Sequence, residues 1–324
     1  MGTIILQASG LNIGNLFGSF PAGIAQGIIW GIMALGLYIT FRLLDFADLT
    51  VDGTFSTGGA VTVMLLLAGW NPWLAMLVAV GAGLISGCIT GLLHTRLGIP
   101  AILSGILTQL SLYSINLAIM DMKANTAVSA SKTTLAITSR SIPSAILTGV
   151  IIAAVLIAAM YWYFGTEQGS AIRATGSNPE MSKAQGIDIN RMKVLGLALS
   201  NGLVALSGGI MAQFQGFADV GMGRGAIVIG LAAVIIGEVL GDALLAKKLN
   251  FAGRLAFVVI GGIVYYLVIV IVLWMKLNPN LLKLFTSIIV AVFLAVPYLR
   301  AESKASFKKA GRNAVRRQKE ADHD

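Results

Sequence analysis

Nine apolar stretches of about twenty residues, nearly free of charge, decide what this chain can fold into. They run from Ala22 to Phe41, Thr54 to Trp70, Trp73 to His94, Ala101 to Met120, Ser144 to Phe164, Val194 to Gln215, Ala226 to Leu245, Leu255 to Trp274 and Leu281 to Leu299. A bilayer core about 30 Å thick is crossed by roughly 20 helical residues, so each stretch has the length of a membrane span. Composition agrees: 56% of the 324 residues are hydrophobic and 11% are charged, with a mean hydropathy of +0.84. Soluble domains carry roughly 25% charged residues and disordered chains have low hydrophobicity, so both classes are excluded. The expectation is an all-α polytopic membrane protein with about nine spans, eight to ten allowing for uncertain ends. The single cysteine, Cys88, excludes an internal disulfide and reads as a small apolar residue within a helix.

Charge orients the spans. The net charge of +9 includes eight Lys and Arg between Arg300 and Lys319, which marks residues 300–324 as a basic cytoplasmic tail behind a single transmembrane domain, 1–299. Nine crossings then put the N-terminus outside. The inner loops carry Arg42, Arg96, Arg173, Lys183, Arg191, Lys193, Lys247, Lys248 and Arg254, and the outer ones only Lys123, Lys132, Arg140, Arg224, Lys276 and Lys283. The basic residues do not alternate with aromatics on one surface, so nucleic-acid binding is not indicated. Met1 to Pro21 contains no charge and lacks the basic first region of a signal peptide.

Two features modify the simple spans. Glu238 and Asp242 fall in the stretch near 226–246, where a mid-bilayer carboxylate costs about 2.5–3.5 kcal/mol. That cost predicts a short helix over 227–236 that breaks at Gly237 and opens toward a cytoplasmic vestibule; a full span with Glu238 at the inner interface is the alternative. Gly83, Gly87 and Gly91, like Gly27 and Gly31, recur every four residues and predict close helix packing. Trp70, Trp73, Trp162 and Trp274 mark span ends.

Chemical motifs are sparse. There is no GxxxxGK[ST] phosphate loop, no HExxH and no cysteine pair, so the chain offers no ATP site or metal site of its own. His94 and His323 are too far apart in sequence to suggest a cluster and read as satisfied or solvated. The polar residues of the fourth stretch, Thr108, Gln109, Ser111, Ser114 and Asn116, either line a solute path or hydrogen-bond between helices. The loop from Phe41 to Phe55 places Asp45, Asp48 and Asp52 three and four residues apart. They act either as helix caps or as ionic contacts to Arg42 or to a partner, and together with Glu238 they are candidates for a cytoplasmic gate or partner contact. The polar loop from Gly165 to Lys193 predicts a helix over 170–175, a break over 176–179 and a second helix over 180–185 ended by Gly186.

That second loop resembles the cytoplasmic coupling segment of ABC importer permeases of the branched-chain amino acid and ribose type. The family pattern R-A-x-G-x-N-x-x-x-A-x-x-x-G-I is met by Arg173, Ala174, Gly176, Asn178, Gly186 and Ile187, with Ala184 displaced by one or two positions. The stretch GIMAQFQGFADVGMGRGAIVIGLAAVIIGEVLGD resembles the family's glycine-rich turn and the apolar segment after it. LDFADLTVDGTF and LGIPAILSGILTQLSLYSINLAIM are similar to a narrower branch described as tryptophan and tyrosine, or unassigned amino-acid, import permeases. The resemblance covers roughly Gly27 to Pro297.

The resemblance implies a non-enzymatic membrane subunit of an ATP-driven importer in a bacterial inner membrane. It would work as a dimer, usually with a second copy of itself. A separate ATPase holding ATP and Mg would dock on Arg173, Asn178 and Pro179, with Gly176 and Gly186 shaping the turns. An extracytoplasmic binding protein would deliver an amino acid, an aromatic one favoured, or else a nucleoside, sugar or branched-chain amino acid. Thr108, Gln109 and Asn116 are the candidate path. An ion-coupled secondary transporter and a lipid-bound membrane scaffold are the competing classes.

Overall fold

The computed structural model describes residues 13–128, 134–245 and 249–275, with five further positions between 284 and 295. Those five positions are all that is described of the predicted span from Leu281 to Leu299, and the basic tail lies outside the described residues. Among the described residues up to 275, ten α-helices follow in order: α1 Ile13–Leu37, α2 Val51–Leu67, α3 Pro72–Thr95, α4 Ala101–Ile119, α5 Ile142–Gly165, α6 Glu167–Ser177, α7 Pro179–Ala184, α8 Ile189–Gln215, α9 Ala226–Leu245 and α10 Phe251–Trp274. A π-helical segment, Tyr38–Leu43, prolongs α1. Strands β1 Asn125–Ala127 and β2 Phe217–Asp219 pair antiparallel, Thr126 opposite Ala218. They are too short to register in a periodicity reading.

Each of the first eight predicted stretches is a helix. Among the described residues seven helices are long and apolar enough to cross a membrane, and α2, at 17 residues, is a shorter apolar one. Local chemistry sets their ends. Asn71 accepts a hydrogen bond from the Trp73 N–H at 2.9 Å and Pro72 opens α3. Asp188 accepts from the Arg191 N–H at 3.1 Å to start α8, which ends at Gly216 in the left-handed region, φ 81°.

Helices α1 and α8 form the centre, whereas α4 and α5 keep broad exposed apolar faces. α3 lies along α8, α1 along α10, and α2 against both α3 and α8. The glycine stripes work as predicted. A methyl group at Gly83, Gly87 or Gly91 would collide with the backbone of α8 at Asn201, Leu197 and Val194, and one at Gly27 or Gly31 with α10 at Ile263 and Val259. Serines tie the central pair. Ser200 donates to the Gly36 carbonyl and Ser207 to the Ile29 carbonyl, both at 2.7 Å.

One expectation for the spans needs correction. The helix near 226–246 is not broken, because α9 runs unbroken through Gly237. A methyl group at Gly237 would strike the Phe257 carbonyl, so that glycine permits close approach of α10 rather than interrupting the helix. The segment from Phe41 to Phe55, read as the connection between the first two spans, lies deeper than a connector. After the π-helical turn it folds back among the helices, burying Leu44, Phe46, Asp48 and Thr50, and α2 begins at Val51 inside the bundle.

Candidate functional site

The polar segment forms two short helices as its sequence suggests, but the break predicted over 176–179 shrinks to Asn178: α6 continues to Ser177, so Gly176 lies within a helix and shapes no turn, because it is needed where the helix packs on Leu43 and Leu44. Asn178 separates α6 from α7 with extended backbone and caps α7, accepting from the Met181 N–H at 3.0 Å. Gly186 turns the chain at φ +81°. α6 is anchored from below, since Ile172 and Thr175 are buried and a methyl at Gly176 would strike the Leu43 carbonyl and Leu44. Arg173, although exposed, packs its guanidinium 5.9 Å from the Phe251 ring centroid. Ala174 is half-buried beside it and Ile187 half-buried past the turn. The free surface is therefore α7. Pro179, Glu180, Lys183 and Met181 are exposed there, the methionine at 61%. Met181 escaped sequence reasoning because it stands at an unspecified position of the family pattern.

The three aspartates separate. Asp45 is exposed with φ 52°, in the turn after the π-helix. Asp48 is fully buried. Its carboxylate accepts from the Thr50 N–H at 2.9 Å and from the Asn201 amide at 2.7 Å, near the midpoint of α8. A charge-bearing side chain at that depth is tolerable only with such partners. Asp52 lies in the first turn of α2 but caps α9, accepting from the Gly225 N–H at 2.9 Å and the Ile227 N–H at 3.0 Å. None of the three meets Arg42. Arg42 Nε instead lies 2.7 Å from Glu238 Oε1, which joins the π-helical segment to α9.

The candidate path residues also divide. Thr108 turns inward, where Thr90 Oγ1 lies 2.9 Å from it and 2.7 Å from Thr50 Oγ1, a run of three hydroxyls binding α4, α3 and the start of α2. Ser111 satisfies the Leu107 carbonyl of its own helix at 3.0 Å. Gln109 and Asn116 line a cavity of about 300 Å³ together with Asp52, Ser56, Tyr113 and Arg224. The guanidinium of Arg224 stands 5.8 Å from the Tyr113 ring centroid. Tyr113 and Arg224 carried no sequence signal, because the cavity is assembled from α2, α4 and the turn between β2 and α9. His94 is satisfied, 2.8 Å from the Ile99 carbonyl and 3.2 Å from Lys193 Nζ.

Comparison with known proteins places this arrangement. Residues 19–297 match the model of the branched-chain amino acid transport system, permease component. The chain is 38% identical over 279 residues, 86% of its own length and 91% of the relative's, to the tyrosine transport system permease protein of Clostridioides difficile strain R20291. It is 34% identical over 183 residues, 56% of its length and 62% of the relative's, to the uncharacterized protein RP368 of Rickettsia prowazekii strain Madrid E. The ribose import permease protein RbsC of Escherichia coli K12 is more distant, 25% identical over 202 residues, 62% of this chain and 61% of that one. No solved structure matches the chain. With most of its length matched to that family, and its helices long and apolar enough to pass the bilayer several times, this chain belongs to the branched-chain amino acid transport permeases, multi-pass membrane subunits of the ABC import type.

Proposed function

We propose that this permease carries an amino acid, an aromatic one favoured, across a bacterial inner membrane into the cytoplasm, driven by ATP hydrolysed in a partner subunit. The observation that carries this reading is the 38% identity to a tyrosine transport permease along 86% of the chain. Similarity to the ribose permease is weaker and shorter, which puts sugars second. In this reading α6 and α7 face the cytoplasm, in accord with the excess of Lys and Arg on that side of the predicted topology.

The exposed face of α7 suits a groove on an ATPase that holds ATP and Mg. α6 would act as a strut. A push on Met181 and Pro179 would pass through Gly176 to Leu43 and Leu44, and so to the π-helical segment that Glu238 holds by Arg42. A second copy of the chain completes the path, and an extracytoplasmic binding protein delivers the substrate.

The test is purification of the chain in mild detergent from its native membrane, with mass spectrometry of what accompanies it. Reconstitution of the recovered complex and measurement of ATP-dependent tyrosine uptake follow. An ABC ATPase in about equal amount, together with uptake, is the expected result. Recovery of the chain alone, under conditions that keep other membrane complexes intact, would overturn the reading.

A further inference from the structure

The cavity between α2, α4 and the turn before α9 carries opposite charges that do not neutralise each other. Asp52 and Arg224 both line it, yet among the described residues Arg224 has no carboxylate within ion-pair distance. Its guanidinium is held instead against Tyr113, at 5.8 Å from the ring centroid. Arg224 is exposed at this cavity and Asp52 half-buried, so an acid and a base stand there unpaired with each other and open to a molecule that carries both charges.

A second observation is independent of the charges. Asn116 is fully buried, lines the same cavity, and its Oδ1 has no hydrogen-bond partner among the described residues, although its Nδ2 donates to the Gly53 carbonyl at 3.4 Å. Buried acceptors are rarely left open, and one on a residue that lines a cavity offers a place for a donor from a ligand or water. Asp52 spends two lone-pair positions on the Gly225 and Ile227 N–H groups, and a carboxylate has about four. The volume, about 300 Å³, stands at the lower end of the range of small-molecule sites, roughly 300–1,000 Å³.

We propose that this cavity is a contact site for a zwitterionic amino acid with a ring. Arg224 receives the carboxylate, Asp52 and Asn116 Oδ1 accept from the ammonium group, and Tyr113 packs on the side chain. The guanidinium matches a carboxylate with two parallel N–H donors, and the aromatic face supplies apolar area at little conformational cost. A sugar has no charge to place at either end, so the same residues would discriminate against it. The inference rests on the amino-acid reading of the substrate and adds to it the residues that recognise both ends.

The test uses the permease with its ATPase in nanodiscs, without binding protein, so that only this chain selects. In a Cys88→Ser background, Gln109→Cys is labelled with a small cationic methanethiosulfonate, and Leu110→Cys, exposed and in the same lining, serves as a second reporter should the first fail to fold. L-Tyrosine at millimolar concentration should slow labelling, and tyramine or 3-(4-hydroxyphenyl)propionate should protect about tenfold or more less well, since each lacks one charged contact. Adding Arg224→Gln should bring protection by tyrosine down to that by tyramine while leaving tyramine unchanged. A purely structural role for Arg224 would lower both together. Labelling unaffected by tyrosine, or equal protection by all three compounds, overturns the proposal. Tyrosine uptake by the complete parent transporter, measured in parallel, separates the two readings: uptake without protection sinks the cavity alone, and protection without uptake sinks import alone.

Discussion

Replacing Asp52 by alanine should destabilise the permease by about 2–4 kcal/mol, and the structure supplies the arithmetic. The carboxylate holds two backbone donors at the start of α9, Gly225 at 2.9 Å and Ile227 at 3.0 Å. A hydrogen bond to a charged group contributes about 1.5–3 kcal/mol, and loss of a helix cap costs about 0.5–2 kcal/mol. Two such bonds would approach the upper end. The adjoining cavity of about 300 Å³ has room for water, which takes over part of what the carboxylate gave. Asp52→Asn retains one acceptor oxygen and so keeps one of the two bonds, for a loss of about 1–2 kcal/mol. The assay is denaturant and thermal unfolding of the purified protein in one detergent, followed by tryptophan fluorescence and survival on size exclusion. The parent should be most stable, the asparagine variant intermediate and the alanine variant least. Equal stability of the two variants, or an alanine variant as stable as the parent, would refute the claim that this side chain pins α9 from across the bundle.

Other perturbations separate packing from coupling. Met181→Glu should abolish co-purification of the ATPase while leaving membrane insertion intact, because the residue is 61% exposed on a short helix outside the spans; quantitative mass spectrometry of the complex checks it. Gly87→Val should cost the folded protein about 1–3 kcal/mol or more, seen as loss of the monodisperse peak, since its new side chain meets the α8 backbone at Leu197 and Ala198. Gln109→Leu should reduce uptake with assembly unchanged, and unaltered transport would remove that residue from the path. Glu238→Gln should loosen the link between the π-helical segment and α9, raising ATP turnover relative to transport; an unchanged ratio would show that the Arg42 contact has no part in coupling.

The spans were legible because apolar length is a local property, and so were the caps and turns between α5 and α8, where Asn178 and Gly186 act on their own neighbours. What depended on distant partners was not. Glu238 argued for a broken helix as long as its charge was taken alone, and Arg42, which accepts that charge, lies far upstream. Asp52 looked like a cap and is one, but of a helix that begins about 170 residues later, a pairing no spacing rule expresses. Gln109 and Asn116 stood out as amides on an apolar helix. Tyr113 and Arg224 did not, since a tyrosine and a loop arginine are unremarkable until the turn before α9 brings them to one cavity.

The inward return of the chain after Leu43 has a consequence for how the protein is made. α2 is short for a bilayer and opens on Asp48, Thr50 and Asp52, so as it leaves the ribosome it is a poor candidate for stable insertion by itself. The groups that make those residues acceptable, Asn201 on α8 and the Gly225 and Ile227 amides before and within α9, are synthesised long afterward. α2 must therefore wait in a protected, half-inserted state, held against α3 by their short connection, until the second half of the molecule arrives. Chains cut short before α8 should be recognised by membrane proteases as unfinished even though their early spans are in place.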